Sequence, residues 1–156
     1  KMALIHNPMQ DQFDRILEAN VYTREVFLDY IAVAKVNEHW WDAMQKSDTE
    51  EMNKHRIAIL DAVKLSKIGS RDGFHGDMSF KDAAKARIDY FARVGGNEYK
   101  EIGEILANPR RTKEDIDFVN QFVDDYNTKN QELNDKFNTT HRDLKLKSLP
   151  EASGGK

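Results

Sequence analysis

Residues 112–144, TKEDIDFVNQFVDDYNTKNQELNDKFNTTHRDL, decide how this chain is read. Ile116, Val119, Val123, Tyr126, Asn130, Leu133, Phe137, Thr140 and Leu144 recur at alternating steps of three and four. That spacing puts all nine on one side of a helix, as in a heptad repeat. Thr112 and Asp115 form a capping-box pattern at its start, and Pro150 marks its stop. A long helix with one apolar seam and a charged remainder has to lay that seam against other helices. Asn130 occupies a seam position, where an Asn commonly fixes register or pairs with another polar group.

The rest of the chain supplies those helices. Asn7-Pro8-Met9-Gln10 reads as a cap, a first-turn proline and a reciprocal partner. The helix it opens is expected to run to about Lys46, with Phe13, Ile16, Leu17, Phe27, Tyr30, Ile31, Ala34, Trp41 and Met44 as its apolar positions. Ser47-Asp48-Thr49-Glu50 reads as the next capping box, so the second helix folds back on the first. It carries Met52, Ile57, Ile59, Leu60, Val63, Leu65 and Ile68, with Gly69 as terminator. Residues 70–78 form the longest irregular connection. Ser79 and Asp82 then read as cap and acid of a third helix carrying Ala84, Ile88, Phe91, Val94, Ile102, Ile105 and Leu106. Gly95-Gly96 interrupts it, which kinks the helix, admits a close neighbour or splits it in two. Asn108-Pro109 ends it. No segment keeps a period of two. The expected fold is all-α, an antiparallel up-down-up-down four-helix bundle over residues 1–150, with residues 151–156 as a flexible tail.

Composition fits long helices with solvated outer faces. The chain has 156 residues, 33% of them charged and 39% hydrophobic, and a net charge of −3. That balance excludes an overall basic nucleic-acid binder. No apolar run approaches the roughly 20 residues of a membrane-spanning helix. There is no Cys, hence no disulfide, no Cys-bound zinc and no Cys nucleophile within the chain. The stretch from Lys136 to Lys156 is locally basic, in contrast to the acidic residues 97–135.

Catalytic patterns are missing from the sequence. No His has a Glu three residues before it, as a di-iron bundle requires. His39 with Asp42, His55 with Glu51, and Asp72 with His75 are isolated pairs. The nucleophile elbow, the phosphate loop and the dinucleotide fingerprint are absent. We therefore expect no enzyme, no cofactor and no metal. Trp40 and Trp41 are adjacent, so on a helix they point about 100° apart. They read as an end plug of the bundle or as a contact patch for a partner or ligand. Chain direction puts them at the end opposite the Phe74–Phe80 connection.

The middle of the chain resembles a family. Phe74-His-Gly76-Asp77-Met-Ser-Phe80-Lys-Asp82-Ala-Ala84, Tyr90, Asn97-Glu-Tyr-Lys-Glu101, Ile105-Leu106 and Thr112-Lys-Glu-Asp115 carry the likeness. They resemble small helical surface proteins and lipoproteins of diderm bacteria, of Bacteroidetes or spirochaete type. The resemblance covers roughly residues 74–115 and continues more weakly through the heptads. It implies export through a signal peptide to the periplasm, outer membrane or cell surface, with a lipid-anchored Cys preceding the mature domain. A first residue of Lys rather than Met accords with that expectation. It transfers no catalytic residue. It implies a structural turn, in which Gly76 permits the reversal, Asp77 accepts from nearby N–H groups, and Phe74 and Phe80 pin both sides.

The leading expectation is an exported envelope module that binds a protein or small ligand or plays a structural part, as a monomer or weak dimer. The alternative is a cytoplasmic interaction protein that dimerises through its heptad helix. A metal- or cofactor-carrying bundle enzyme comes third, resting on the fold's capacity alone.

Overall fold

A computed structural model describes residues 7–149, and its described elements are helical apart from one two-residue hairpin. Five α-helices follow one another: α1 (Pro8–Gln45), α2 (Thr49–Leu65), α3 (Ser79–Gly96), α4 (Glu98–Ala107) and α5 (Lys113–Ser148), with a 3₁₀ turn at Ile68–Ser70. α3 and α4 run on in the same direction as one leg, so the architecture is the expected four-helix bundle. Side-chain pairs give the directions. Lys145 of α5 meets Asn20 of α1, Phe137 meets Tyr30, and Tyr126 meets Asn37, so α5 runs against α1. Phe91 beside Tyr30 and Tyr99 beside Asn37 set the α3–α4 leg parallel to α1. Pro150 and the tail at 151–156 lie outside the described residues.

Each helix start obeys local chemistry, though not always at the expected residue. The Asn7 side chain accepts from the N–H groups of Met9 and Gln10, but Gln10 donates onward to Asp14 instead of reaching back. The cap of α2 is Asp48, which accepts from Glu51 N–H, one residue past the Ser47–Glu50 box. Ser47 is used instead to reverse the chain, at φ 53°. α3 begins at Ser79, whose N–H and hydroxyl both donate to Asp77, so Asp77 does the capping that Ser79 was expected to do. Only the Thr112–Asp115 box closes in both directions as expected.

The third leg divides at its glycines. α3 ends at Gly96, and the Asn97 amide N–H and side chain close its last turn onto Val94 O and Arg93 O. Gly95 is buried, and a Cβ placed there would lie 3.4 Å from Ile59 Cγ2 and 3.6 Å from Leu60 Cδ2. A methyl group there would meet α2 at ordinary van der Waals distance, so the close approach of α3 to α2 does not depend on the glycine.

α2 is shorter than expected. It stops at Leu65, because Ser66 is extended, and Gly69 falls in the 3₁₀ turn. Leu65 is solvent-exposed while Ile68 enters the core from the turn. At 1.5 Å per residue α1 spans about 57 Å and α2 only about 25 Å. From Leu65 onward, irregular chain lies along α1. It is fastened there by Arg71, which binds Asp29 at 2.7 Å and Glu25 at 3.0 Å, and by Tyr22, which donates to Asp72 O. The hydrogen bond to Asp29 raises the Arg71 pKa above its ordinary value.

The irregular stretch ends in a two-residue hairpin. Phe74 and Asp77 exchange N–H···O bonds of 2.9 Å in both directions. His75 and Gly76 between them both have positive φ, 49° and 85°. That is the signature of a type I′ turn, in which glycine is the residue without steric penalty. Gly76→Ala should therefore cost about 1 kcal/mol, and Gly76→Asn less, in denaturant unfolding.

Candidate functional site

The Trp end of the bundle is an enclosed aromatic cluster. Trp40 is fully buried and lies flat on Tyr99, ring centres 3.6 Å apart and planes 7° from parallel. Trp41 is half-buried against Tyr126 and Phe122. Its indole N–H donates to the Tyr99 hydroxyl at 2.9 Å. That hydroxyl donates to Asn37 Oδ1 at 2.5 Å, and Asn37 Nδ2 donates to the Tyr126 hydroxyl at 2.9 Å. Burial raises the pKa of both tyrosines, so the network is neutral. Of the two Trp side chains, only Trp41 keeps part of its ring at the surface. Trp40 offers no surface, and Trp41 turns its polar edge inward, because α4 and α5 close over both rings. The register-fixing Asn is Asn37, whereas Asn130 of the heptad is only half-buried.

The turn residues do come together. Phe74 packs on Tyr22, ring centres 5.4 Å apart, and Phe80 lies fully buried between Phe137 and His141. Asp77 also receives Lys147 Nζ at 2.9 Å. The hydrogen bonds from Ser79, then from Lys147, lower its pKa from 3.8 to about 2. Tyr22 and Trp40 are 18 positions apart on α1, so the turn and the Trp cluster lie about 27 Å apart and share no pocket.

At the height of the turn, and from there towards the start of α1, the outer face of that helix carries exposed apolar side chains. Phe13, Leu17, Val21 and Leu28 are each between 49% and 60% exposed. At 100° per residue they fall within about 80° of one side of the helix. α2 has already ended at this height, so no helix covers them. On one flank stand Asp14, Glu18 and Glu25, which with Leu17, Val21 and Phe74 line an open groove of about 480 Å³. On the other flank, α1 and α5 enclose a second groove of about 490 Å³. Asn20, Arg24 and Phe27 of α1 line it, opposite Phe137, His141 and Lys145 of α5, with Phe80 of α3 beneath. Lys145 Nζ reaches across to Asn20 Oδ1. Burial, then the nearby Lys145, lowers the His141 pKa.

Arg87 lies under this second groove and was missed from sequence. It is 7% exposed, with its guanidinium 4.2 Å from the Tyr30 ring centre and 5.2 Å from that of Phe137. Its one described hydrogen bond goes to the Asn134 side-chain oxygen at 3.2 Å, and Nε has none. No described carboxylate pairs with it, and burial lowers its pKa. Its position was legible: Lys81, Ala84, Arg87, Ile88 and Phe91 follow helical spacing on the buried side of α3. A cation on an apolar stripe is the signal.

Among the described residues, reactive side chains meet elsewhere only in small groups. The rings of His39 and His55 approach to 5.3 Å, with Glu51 3.1 Å from His55 Nε2. Among the described residues no group of three or more His, Asp or Glu is placed to hold a metal. Nor is any described helix long and apolar enough to cross a membrane. Comparison with known families, with characterised proteins and with solved structures gives no match.

Asn37→Leu removes the acceptor of the Tyr99 hydroxyl and the donor to the Tyr126 hydroxyl, and should cost about 2–3 kcal/mol in denaturant unfolding, whereas Tyr126→Phe should cost about 1. Asp77, with its folded-state pKa depressed, contributes stability above about pH 4 that is lost as pH falls from 4 towards 2. Asp77→Asn should flatten the stability–pH curve across that window, as followed by circular dichroism at a series of pH values.

Proposed function

We propose that this protein is a helical binding module of the bacterial cell envelope, not an enzyme, and that the outer face of α1 is its working surface. The observation that carries the binding role is the row Phe13, Leu17, Val21 and Leu28, exposed on one side of α1 and flanked by two grooves. Contiguous exposed apolar surface marks sites that a partner or ligand covers, and we read the row in that way. The envelope location rests on the resemblance of residues 74–115 to diderm surface proteins and lipoproteins.

A second reading makes the covering partner another copy of the chain. The α5 heptad does not serve this purpose, since Val119, Tyr126, Phe137 and Leu144 face the core. The α1 row does. Acids stand on one flank of the row, Lys145 on the other, and Arg24 within the row towards the Lys145 side. A two-fold axis along α1 sets the acidic flank of one copy against the basic flank of its partner at the same height. An axis across α1 sets like charges together. The pairing is thus expected to be parallel, small and salt-sensitive.

Cells making the full-length precursor should yield the protein in the periplasmic or outer-membrane fraction, and recovery in the cytosol would sink the envelope reading. Leu17→Ser with Val21→Ser should change stability by less than about 1 kcal/mol, because both side chains are half exposed and no helix covers them in the monomer. A larger loss by denaturant unfolding would make the row structural. Self-association followed by sedimentation should be abolished in that variant and weakened by salt in the parent.

A further inference from the structure

The groove between α1 and α5 has a composition unlike the surface around it. The chain is net acidic, at −3, yet no Asp or Glu lines this groove. Its charged groups are Arg24 and Lys145, joined by the imidazole of His141. No described carboxylate pairs with Arg24 or with Lys145. The Lys145 ammonium is held across the opening by Asn20, which spares it part of the ordering cost that a free lysine would lose on meeting a ligand. The walls beneath are the rings of Phe27 and Phe137, so an apolar surface continues directly from the cationic rim. The volume, about 490 Å³, lies within the range of single small-molecule sites.

Arg87 adds the second, independent observation. A buried guanidinium is normally compensated by a carboxylate, because desolvating a lone charge is costly. Here it has two aromatic rings and one amide oxygen, and one of those rings, Phe137, is a wall of the groove. The positive field of Arg87 therefore reaches the groove through low-dielectric aromatic material, where it is screened less than at the surface. An anion above Phe137 would supply part of the missing counter-charge.

We propose that the α1–α5 groove binds an amphipathic anion: one carboxylate, sulfonate or phosphate head at Arg24 and Lys145, carried on an apolar body that lies over Phe27 and Phe137. The head is small and singly placed, since two rim cations on facing helices define one point and not a track. A polyanion would meet Asp14, Glu18 and Glu25 on the next flank of α1. The proposal goes beyond the envelope reading and does not depend on where the protein resides.

The test uses the full chain with three probes: 8-anilinonaphthalene-1-sulfonate, its uncharged relative N-phenyl-1-naphthylamine, and dodecanoate as competitor. The sulfonate should bind with a fluorescence rise, dodecanoate should displace it, and the uncharged probe should bind at least about tenfold more weakly. Arg24→Gln with Lys145→Gln should weaken the sulfonate and dodecanoate by about tenfold or more. Those side chains lie at the rim, so the variant remains folded by circular dichroism. The ring resonances of His141 should shift on adding dodecanoate to the parent. Lysophosphatidylglycerol, tested in the same way, separates the sources: displacement by it alone assigns a phosphodiester head, and displacement by dodecanoate alone a free carboxylate. Leu17→Ser with Val21→Ser should leave probe binding unchanged, which separates this site from the α1 row. Undiminished binding in the Arg24/Lys145 variant, loss of binding in the Leu17/Val21 variant instead, or no binding of either anion would overturn the proposal.

Discussion

The Tyr99 hydroxyl stands where three helices meet, and the rest of the bundle is arranged around it. α4 has only ten residues, too few to hold a helix in water unaided. Its place is set by the Tyr99 ring lying on Trp40, and by the Tyr99 hydroxyl accepting a hydrogen bond from Trp41 N–H and donating one to Asn37. Asn37 in turn fixes Tyr126, and so the height of α5 against α1. With Asn37 opposite Tyr126, the antiparallel run brings Tyr30 to Phe137 and Asn20 to Lys145. One hydroxyl at one end therefore sets which side chains face each other across the α1–α5 groove far down the molecule. A purely apolar cluster would hold the helices together without choosing that register so sharply.

Architecture was legible in the sequence because it is written in spacing. The alternation of threes and fours from Ile116 to Leu144 predicts a helix with a buried seam, and Val119, Tyr126, Phe137 and Leu144 are indeed interior. The seam is less regular than its pattern, since Phe122 off the seam is buried and Ile116 on it is exposed. α1 was harder to read. Apolar residues occur around most of its circumference, so periodicity does not separate Phe13 and Leu17, which face water, from Val26 and Val33, which are fully buried. What decides between them is how far α2 extends, and that depends on Ser66 turning extended, a property local spacing does not encode.

The candidate sites were legible in part. Phe74, Gly76, Asp77 and Phe80 form the turn with the roles their chemistry indicates: Gly76 takes positive φ and Asp77 gathers donors. Trp40 and Trp41 drew attention as bulky neighbours, but their partners, Tyr99 and Tyr126, lie more than fifty residues away in sequence. The α1–α5 groove left no local trace, because its rim is drawn from positions separated by more than a hundred residues. Arg87 left one, a cation where helical spacing demands an apolar residue.

The early end of α2 also divides the molecule by the kind of force that closes it. At the Trp end, packed rings and neutral hydrogen bonds do the work. At the other end, the chain between α2 and α3 is tied down by Arg71 to Asp29 and Glu25 and by Lys147 to Asp77. Ion pairs at partly exposed positions weaken as salt rises, while buried rings are nearly indifferent to it. Ionic strength thus bears more on the turn end of this bundle than on the Trp end, where Arg93–Glu98 and Lys54–Glu51 lie outside the packed rings. The exposed row of α1 and the cationic groove both sit at the turn end.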